Sequence, residues 1–159
     1  MQYWLLKTEP TSFSIQDLAA RARQTEPWNG VRNYQARNYM RQMQINDLAF
    51  FYHSSCATPG IAGIVKIVKK AYPDPTAWDP DSPYYDVKST LERPRWFMVD
   101  VKLVQQFDPI IRLTELRSLP GLEDLIILRK GNRLSVTPVR VEEWEIINKN
   151  FGNYTRASR

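Results

Sequence analysis

The spacing of apolar residues changes several times along this chain, and each change predicts an element. Tyr3-Trp4-Leu5-Leu6 is a short apolar run that reads as a buried strand, ended by the loop Lys7-Thr8-Glu9-Pro10. Ser14, with Asp17 three residues on, is placed as a capping box. Ile15, Leu18 and Ala22 then recur at helical spacing until Pro27 stops the unit. Asn33 is placed to cap a second helix, from about Tyr34 to Met43, and Asn46-Asp47 marks a turn. Leu48 to His53 and Ile61 to Ala71 read as strands, the second rich in Ile and Val. Five prolines make 72–94 a long loop, and its aromatics Tyr72, Trp78, Tyr84 and Tyr85 argue that it packs onto the domain. Trp96 to Phe107 alternates as a strand does. Thr114 to Arg117 opens a short helix that stops near Pro120-Gly121. Leu134 to Val136 is extended, and Val141 to Asn150 is a helix with Trp144 and Ile147 on one face.

This order mixes strands and helices without a βαβ rhythm. It predicts an α+β fold, a small, curved, mostly antiparallel sheet or partial barrel with peripheral helices. No repeat and no internal boundary stand out. Residues 1–150 are expected to form a single domain, with a polar tail over 151–159 that frays from Gly152 onward.

Composition changes this picture little; charge changes it more. A chain of 159 residues, 43% hydrophobic and 25% charged, has the make-up of a soluble globular domain. Its net charge of +5 favours a polyanionic partner. The charge is segregated. Arg21, Arg23, Arg32, Arg37 and Arg41 have only Glu26 for company, and Arg129, Lys130, Arg133 and Arg140 have no acid among them. The stretch 74–92 instead carries Asp74, Asp79, Asp81, Asp86 and Glu92 against Lys88. One cysteine cannot form an internal disulfide, and with one histidine it leaves too few soft ligands for structural zinc. No metal and no cofactor are expected. The N-terminus lacks the features of a signal peptide, and no window approaches a membrane span. A cytoplasmic monomer is the expectation, with a nucleoid or nuclear site open.

The candidate chemistry lies in two stretches. Trp28-Asn29-Gly30-Val31-Arg32-Asn33-Tyr34 sets indole, phenol, carboxamide and guanidinium groups around a glycine. Flat π surfaces beside amide donors and acceptors suit a nucleobase. The opposed reading has Trp28 plugging the core while Arg32 and Asn33 tie the loop down. The first reading predicts that Trp28→Ala harms binding far more than folding. Phe51-Tyr52-His53-Ser54-Ser55-Cys56 is of similar character, and the small residues through Gly60 leave room for something flat. His53 and Cys56 are formally a nucleophile pair for a small nucleotide or base hydrolase. Three residues apart and with no obvious orienting group, they read better as a hydrogen-bonding wall and a packing residue. Glu142, Glu143 and Glu145 read as a solvated helix face. Lys7 and Glu9 flank a strand end, where they reach a ligand or form a surface ion pair. Arg37 and Arg41, four apart on the second helix, share a face suited to a phosphate backbone.

The segments WNGVRNYQARNYM, FYHSSCATPGIAGIVKIV, AYPDPTAWDPDSPYYD, PRWFMVDV and RLSVTPV, in that order, closely resemble the EVE domain family. The resemblance runs from about Tyr3 to about Ile147. It implies a PUA-like pseudo-barrel of strands with flanking helices. It also implies a non-catalytic pocket for a modified nucleobase, a 5-methylcytosine-type base in DNA, with a modified base in structured RNA such as tRNA or rRNA as the alternative. Trp28, Asn29, Gly30, Val31 and Arg32 match the family's pocket-side loop, and Asn33 joins them as a candidate. Phe51, Tyr52, His53 and Ser54 match its central strand. Ser135 and Val136 match a short motif that borders the pocket, and Lys7 and Glu9 match a strand-end loop nearby. Arg133 joins Arg37 and Arg41 as a candidate backbone contact. The chain departs at Ser55, where many members have asparagine, so that HSNC becomes HSSC. A hydroxyl reaches less far than a carboxamide.

Overall fold

The apolar runs at Tyr3–Leu6 and Leu48–Tyr52 arise because helices cover both faces of one sheet. The computed structural model describes residues 1–151; the expected fraying tail from Gly152 lies outside them. Six strands, β1 (Tyr3–Thr8), β2 (Thr25–Pro27), β3 (Leu48–His53), β4 (Gly60–Pro73), β5 (Phe97–Arg112) and β6 (Val136–Val139), form an open sheet in the order β2-β5-β4-β3-β1-β6. The helices are α1 (Ile15–Ala20), α2 (Tyr34–Gln42), α3 (Leu113–Ser118) and α4 (Val141–Phe151). Neighbouring strands run antiparallel except β1 and β3. That parallel pair needs a crossover, and the chain between them supplies it with α1, β2 and α2.

Strand alternation divides the core. Trp4, Leu6, Ala49 and Phe51 join Ile15, Leu18, Trp28 and Met40 in one cluster, on the side of α1 and α2. Leu5, Phe50 and Tyr52 pack with Leu116 of α3 and with Trp144 and Ile147 of α4. Repeated register shifts between β4 and β5 bend the long strands without closing a barrel.

Local chemistry explains where the elements match the sequence reading and where they do not. Ser14 and Asp17 form the expected capping box, and Asn33 accepts from the Ala36 N–H at 2.9 Å to cap α2. Ala22 does not continue α1; it lies exposed in a 3₁₀ turn, where Arg23 takes a φ of +56°. β2 holds three residues, one of them proline, too few to show a period. β5 runs past Phe107 to Arg112, through Pro109. Proline is tolerated there because it falls where the β4–β5 register shifts, between the Gly63–Gln106 and Ile61–Ile111 pairs. β6 begins at Val136, where the expected extended piece ends. The 72–94 segment packs onto the domain through Tyr72, which lies against the core, and through the buried Asp74, Ala77 and Ser89. Trp78 is half-buried, and Tyr84 and Tyr85 keep more of their surface exposed.

Candidate functional site

A pocket of about 290 Å³ opens at the end of β1. It is lined by Lys7, Thr8, Ser12, Phe13, Arg21, Glu26, Pro27 to Val31, Tyr84 and Ser135. Small-molecule sites span roughly 300–1,000 Å³. A pocket at the lower limit suits one ring system rather than a dinucleotide.

The backbone of β2 places the indole. The Trp28 N–H donates to the Val99 carbonyl at 2.7 Å, which continues the β2–β5 pairing by one residue. The ring then packs edge-on against Phe51 (5.4 Å) and Phe13 (6.2 Å) and is only 7% exposed. Trp28 is therefore core plug and pocket wall at once. Gly30 follows at φ +82°, and a Cβ there would stand 2.7 Å from the Tyr84 ring. Only glycine lets that ring settle against the loop.

Asp74, almost wholly buried, ties this arrangement together. Its carboxylate accepts from the Gly30 N–H (2.8 Å), Arg32 Nη1 (3.0 Å), the Thr76 N–H (2.9 Å) and Thr76 Oγ1 (2.6 Å). Burial alone would raise its pKa; the hydrogen bonds from Thr76, Gly30 and Arg32 outweigh burial and hold it below the usual carboxylate range. Arg32 also donates through Nε to the Tyr84 carbonyl (2.9 Å). Charges segregated in sequence thus meet in space, and the acidic loop is fastened to the basic one at the pocket rim.

Among the described residues, Lys7 is the pocket cation that joins no ion pair. No carboxylate of the described ion pairs engages it, Glu9 included, and burial lowers its pKa. Its backbone N–H donates to the Ser135 carbonyl (2.8 Å), which brings Ser135 to the rim. Arg21 and Glu26 pair with each other at 3.1 Å.

Of the candidates read from sequence, the structure brings Lys7, Trp28, Asn29, Gly30, Val31 and Ser135 together. The others lie off the pocket lining. Glu9 is exposed, and its carbonyl closes a turn onto the Ser12 and Phe13 N–H groups. Arg32 and Asn33 tie down the loop and cap α2. Phe51 sits behind Trp28, and Tyr52 faces the opposite core, where burial pushes its phenol up to about 12. Ser54 binds the Thr8 carbonyl through its N–H at 2.9 Å, and Val136 is buried in the core. Ser55 is exposed at φ +53°, a left-handed conformation that asparagine tolerates better than serine, so the family's asparagine has a backbone rationale here. Thr8, Ser12, Phe13, Arg21, Glu26, Pro27 and Tyr84 were not foreseen. The aromatic run within the proline-rich loop was the one signal pointing to Tyr84. Arg37 and Arg41 share a side of α2; Arg41 lies over the Phe97 ring at 4.6 Å, and Arg133 is exposed two residues before Ser135. Among the described residues no three His, Cys, Asp or Glu side chains converge as metal ligands would.

His53 is buried beside α1, not in the pocket. Its Nε2 accepts from the N–H of Ile15, the first residue of α1, at 3.1 Å, so the ring is neutral with its proton on Nδ1. Burial lowers its pKa from 6.5. The unfolded chain therefore takes up a proton that the folded chain refuses. This stability is complete above the unfolded pKa and is lost as pH falls through the folded one. The melting temperature should be level from about pH 8 to 7 and fall below about pH 6.5. His53→Gln, whose amide oxygen still accepts from Ile15, should flatten the fall above the carboxylate range. A wild-type melting temperature level down to about pH 5 would contradict this assignment.

A bent, open six-stranded sheet with helices on both faces and an aromatic pocket beside it defines a PUA-like domain. Residues 2–150 match the EVE domain, and the chain belongs to that family. It is 43% identical to thymocyte nuclear protein 1 of Homo sapiens, over 91% of this chain and 72% of that protein. A crystal structure of a Pseudomonas syringae protein superposes with a TM-score of 0.89 at 52% identity, covering 93% of this chain and 98% of that one. The human THYN1 protein, solved in complex with DNA containing 5-methylcytosine, superposes with a TM-score of 0.89 at 42% identity, covering 94% and 97%. Among the described residues no helix is long and apolar enough to cross a membrane.

Proposed function

We propose that this chain is a non-catalytic, monomeric reader of a modified nucleobase in DNA, of the 5-methylcytosine type, held in the Trp28 pocket. The observation that carries the reading is the pocket itself. The Trp28, Phe13 and Tyr84 rings bound a space sized for one base, with Lys7, Asn29 and Ser135 at its polar rim. The likeness to a protein solved with 5-methylcytosine-containing DNA supports the choice of base. A base in a duplex must leave the stack, at a cost of a few kcal/mol. Stacking in the pocket returns roughly 1–3 kcal/mol. Arginine contacts to phosphates supply the rest, which makes affinity salt-dependent. A reader of DNA works where DNA lies, which moves the expected location from the cytoplasm at large to a nucleoid or nucleus. The hydrolase reading needs His53 as the base for Cys56, yet Nε2 is buried and occupied by the Ile15 N–H.

The test is a binding panel of oligonucleotides that differ only by one methyl group on one cytosine, made as single-stranded DNA, duplex DNA and RNA. A methyl group fitted by an apolar wall is worth about tenfold or more. The methylated DNA should win by that factor, and Cys56→Ser should leave the preference intact. Equal affinity for methylated and plain DNA would defeat the reading. A stronger preference within RNA would transfer it to that polymer. Turnover abolished by Cys56→Ser would make the protein an enzyme.

A further inference from the structure

Along the surface that leads from the pocket, we infer that the outer face of Tyr34 is a second stacking platform, which takes an unpaired nucleobase flanking the one in the pocket on the same DNA strand. The inference rests on the reading above and adds a base site to it.

Tyr34 opens α2 directly after the Asn33 cap, so its backbone is fixed. Its ring stacks on Trp96 with centroids 4.8 Å apart and planes 25° apart. Trp96 is buried beneath it and anchored by its indole N–H, which donates to Asp86 at 2.7 Å. Tyr34 is nevertheless 51% exposed. The guanidinium of Arg37 lies 4.8 Å from the Tyr34 centroid and 6.0 Å from that of Trp96. A group on the far side of Tyr34 from Trp96 would stand nearly twice as far from Trp96. Arg37 therefore lies over the Tyr34 ring without standing directly opposite Trp96, and the exposure of Tyr34 shows that much of the ring still faces solvent.

The surroundings match a nucleotide rather than an apolar partner. Arg95 Nη1 donates to the Tyr34 hydroxyl at 3.3 Å, and Arg37 Nη1 donates to the Arg95 carbonyl at 3.0 Å. Two guanidinium groups thus border the exposed ring, where a strand stacked on it would carry its phosphates. The platform is also continuous with the pocket. Arg32 lies 5.5 Å from the Trp96 ring and 5.6 Å from the Tyr84 ring, and Tyr84 lines the pocket. One row of alternating rings and guanidinium groups therefore runs from the base site to Tyr34. A ring already held by stacking and a hydrogen bond loses little freedom on binding. Two adjacent extruded bases are easier to supply from a single strand or a distorted duplex than from an intact one.

The experiment is a coupling cycle on short single-stranded DNA with one 5-methylcytosine, intact or with abasic residues flanking that base. Tyr34→Ala should weaken binding of the intact oligomer about tenfold and leave the methyl preference unchanged. The abasic flanks should weaken wild type by a similar factor and Tyr34→Ala no further. Tyr34→Leu keeps apolar cover over Trp96 without a π face; it should melt like wild type and bind like the alanine variant. Abasic flanks that cost wild type and Tyr34→Leu equally would overturn the platform. Wild type with no methyl preference but intact coupling would defeat the pocket reading and leave the platform standing. Methyl preference without coupling would do the reverse.

Discussion

Trp28→Ala is expected to abolish measurable binding of a methylated oligomer and to lower the unfolding free energy by about 3–5 kcal/mol. Local sequence chemistry favours a loss of binding largely separate from folding. The structure removes that separation, because the indole is only 7% exposed and packs edge-on against Phe51 and Phe13. Removing it opens a cavity between the pocket and the core beneath it. For a domain of this size the melting temperature should fall by roughly 10 °C. Trp28→Phe keeps an aromatic face and part of the packing, so it should fold well and bind with reduced affinity. Denaturant melts and titrations on the same preparations check both effects. An alanine variant that melts with wild type would remove Trp28 from the core; one that binds normally would remove it from the pocket.

The legibility of this chain followed the range of each interaction. β3 could be read to its end residues because its pattern is local and apolar on both faces, and α2 because Asn33 caps it through its own side chain. The PUA-like fold followed from the resemblance. β2 was illegible because its strand pairing is with β5, more than seventy residues away in sequence. The pocket shows the same division. Trp28 to Val31 announced themselves by clustering flat and polar groups. Tyr84 and Phe13 reach the same space through a long loop and a turn, whose paths one sequence does not state. Arg32 looked like a ligand donor because a guanidinium beside an indole is a common sight at nucleic-acid sites. Asp74, in another motif, is what claims it. Strand alternation decided against Tyr52: neighbours on β3 face opposite cores, so Phe51 and Tyr52 could not both border one pocket.

Asp74→Ala should damage stability and binding together, from outside the pocket lining. Asp74 lies on the loop after β4 and is 1% exposed, yet four donors from two loops converge on its carboxylate. Removing one partner of a buried ion pair costs roughly 3–5 kcal/mol. The Arg32 side chain retains 21% exposure, so water takes up part of the orphaned charge and the lower end, about 3 kcal/mol, is expected. The binding loss has a separate cause. Arg32 holds the Tyr84 carbonyl, and the Gly30 N–H is held by Asp74 itself. Without the carboxylate, the Gly30 N–H loses its acceptor. Arg32 keeps its bonds to the Tyr84 carbonyl and the Thr76 hydroxyl but not its charge partner, so the seat of Tyr84 against Gly30 loosens. Asp74→Asn keeps the shape and one acceptor but not the charge, so it should lie between alanine and wild type in both stability and affinity. Because the carboxyl is held below its usual pKa, its contribution is present at neutral pH and is lost as pH falls through that lowered value. The acid limb of the wild-type stability curve should therefore be shallower in Asp74→Asn. Alanine and asparagine variants that melt and bind like wild type would show that this carboxylate fastens nothing of consequence. Loss of stability with full affinity would show instead that Tyr84 finds its place without it.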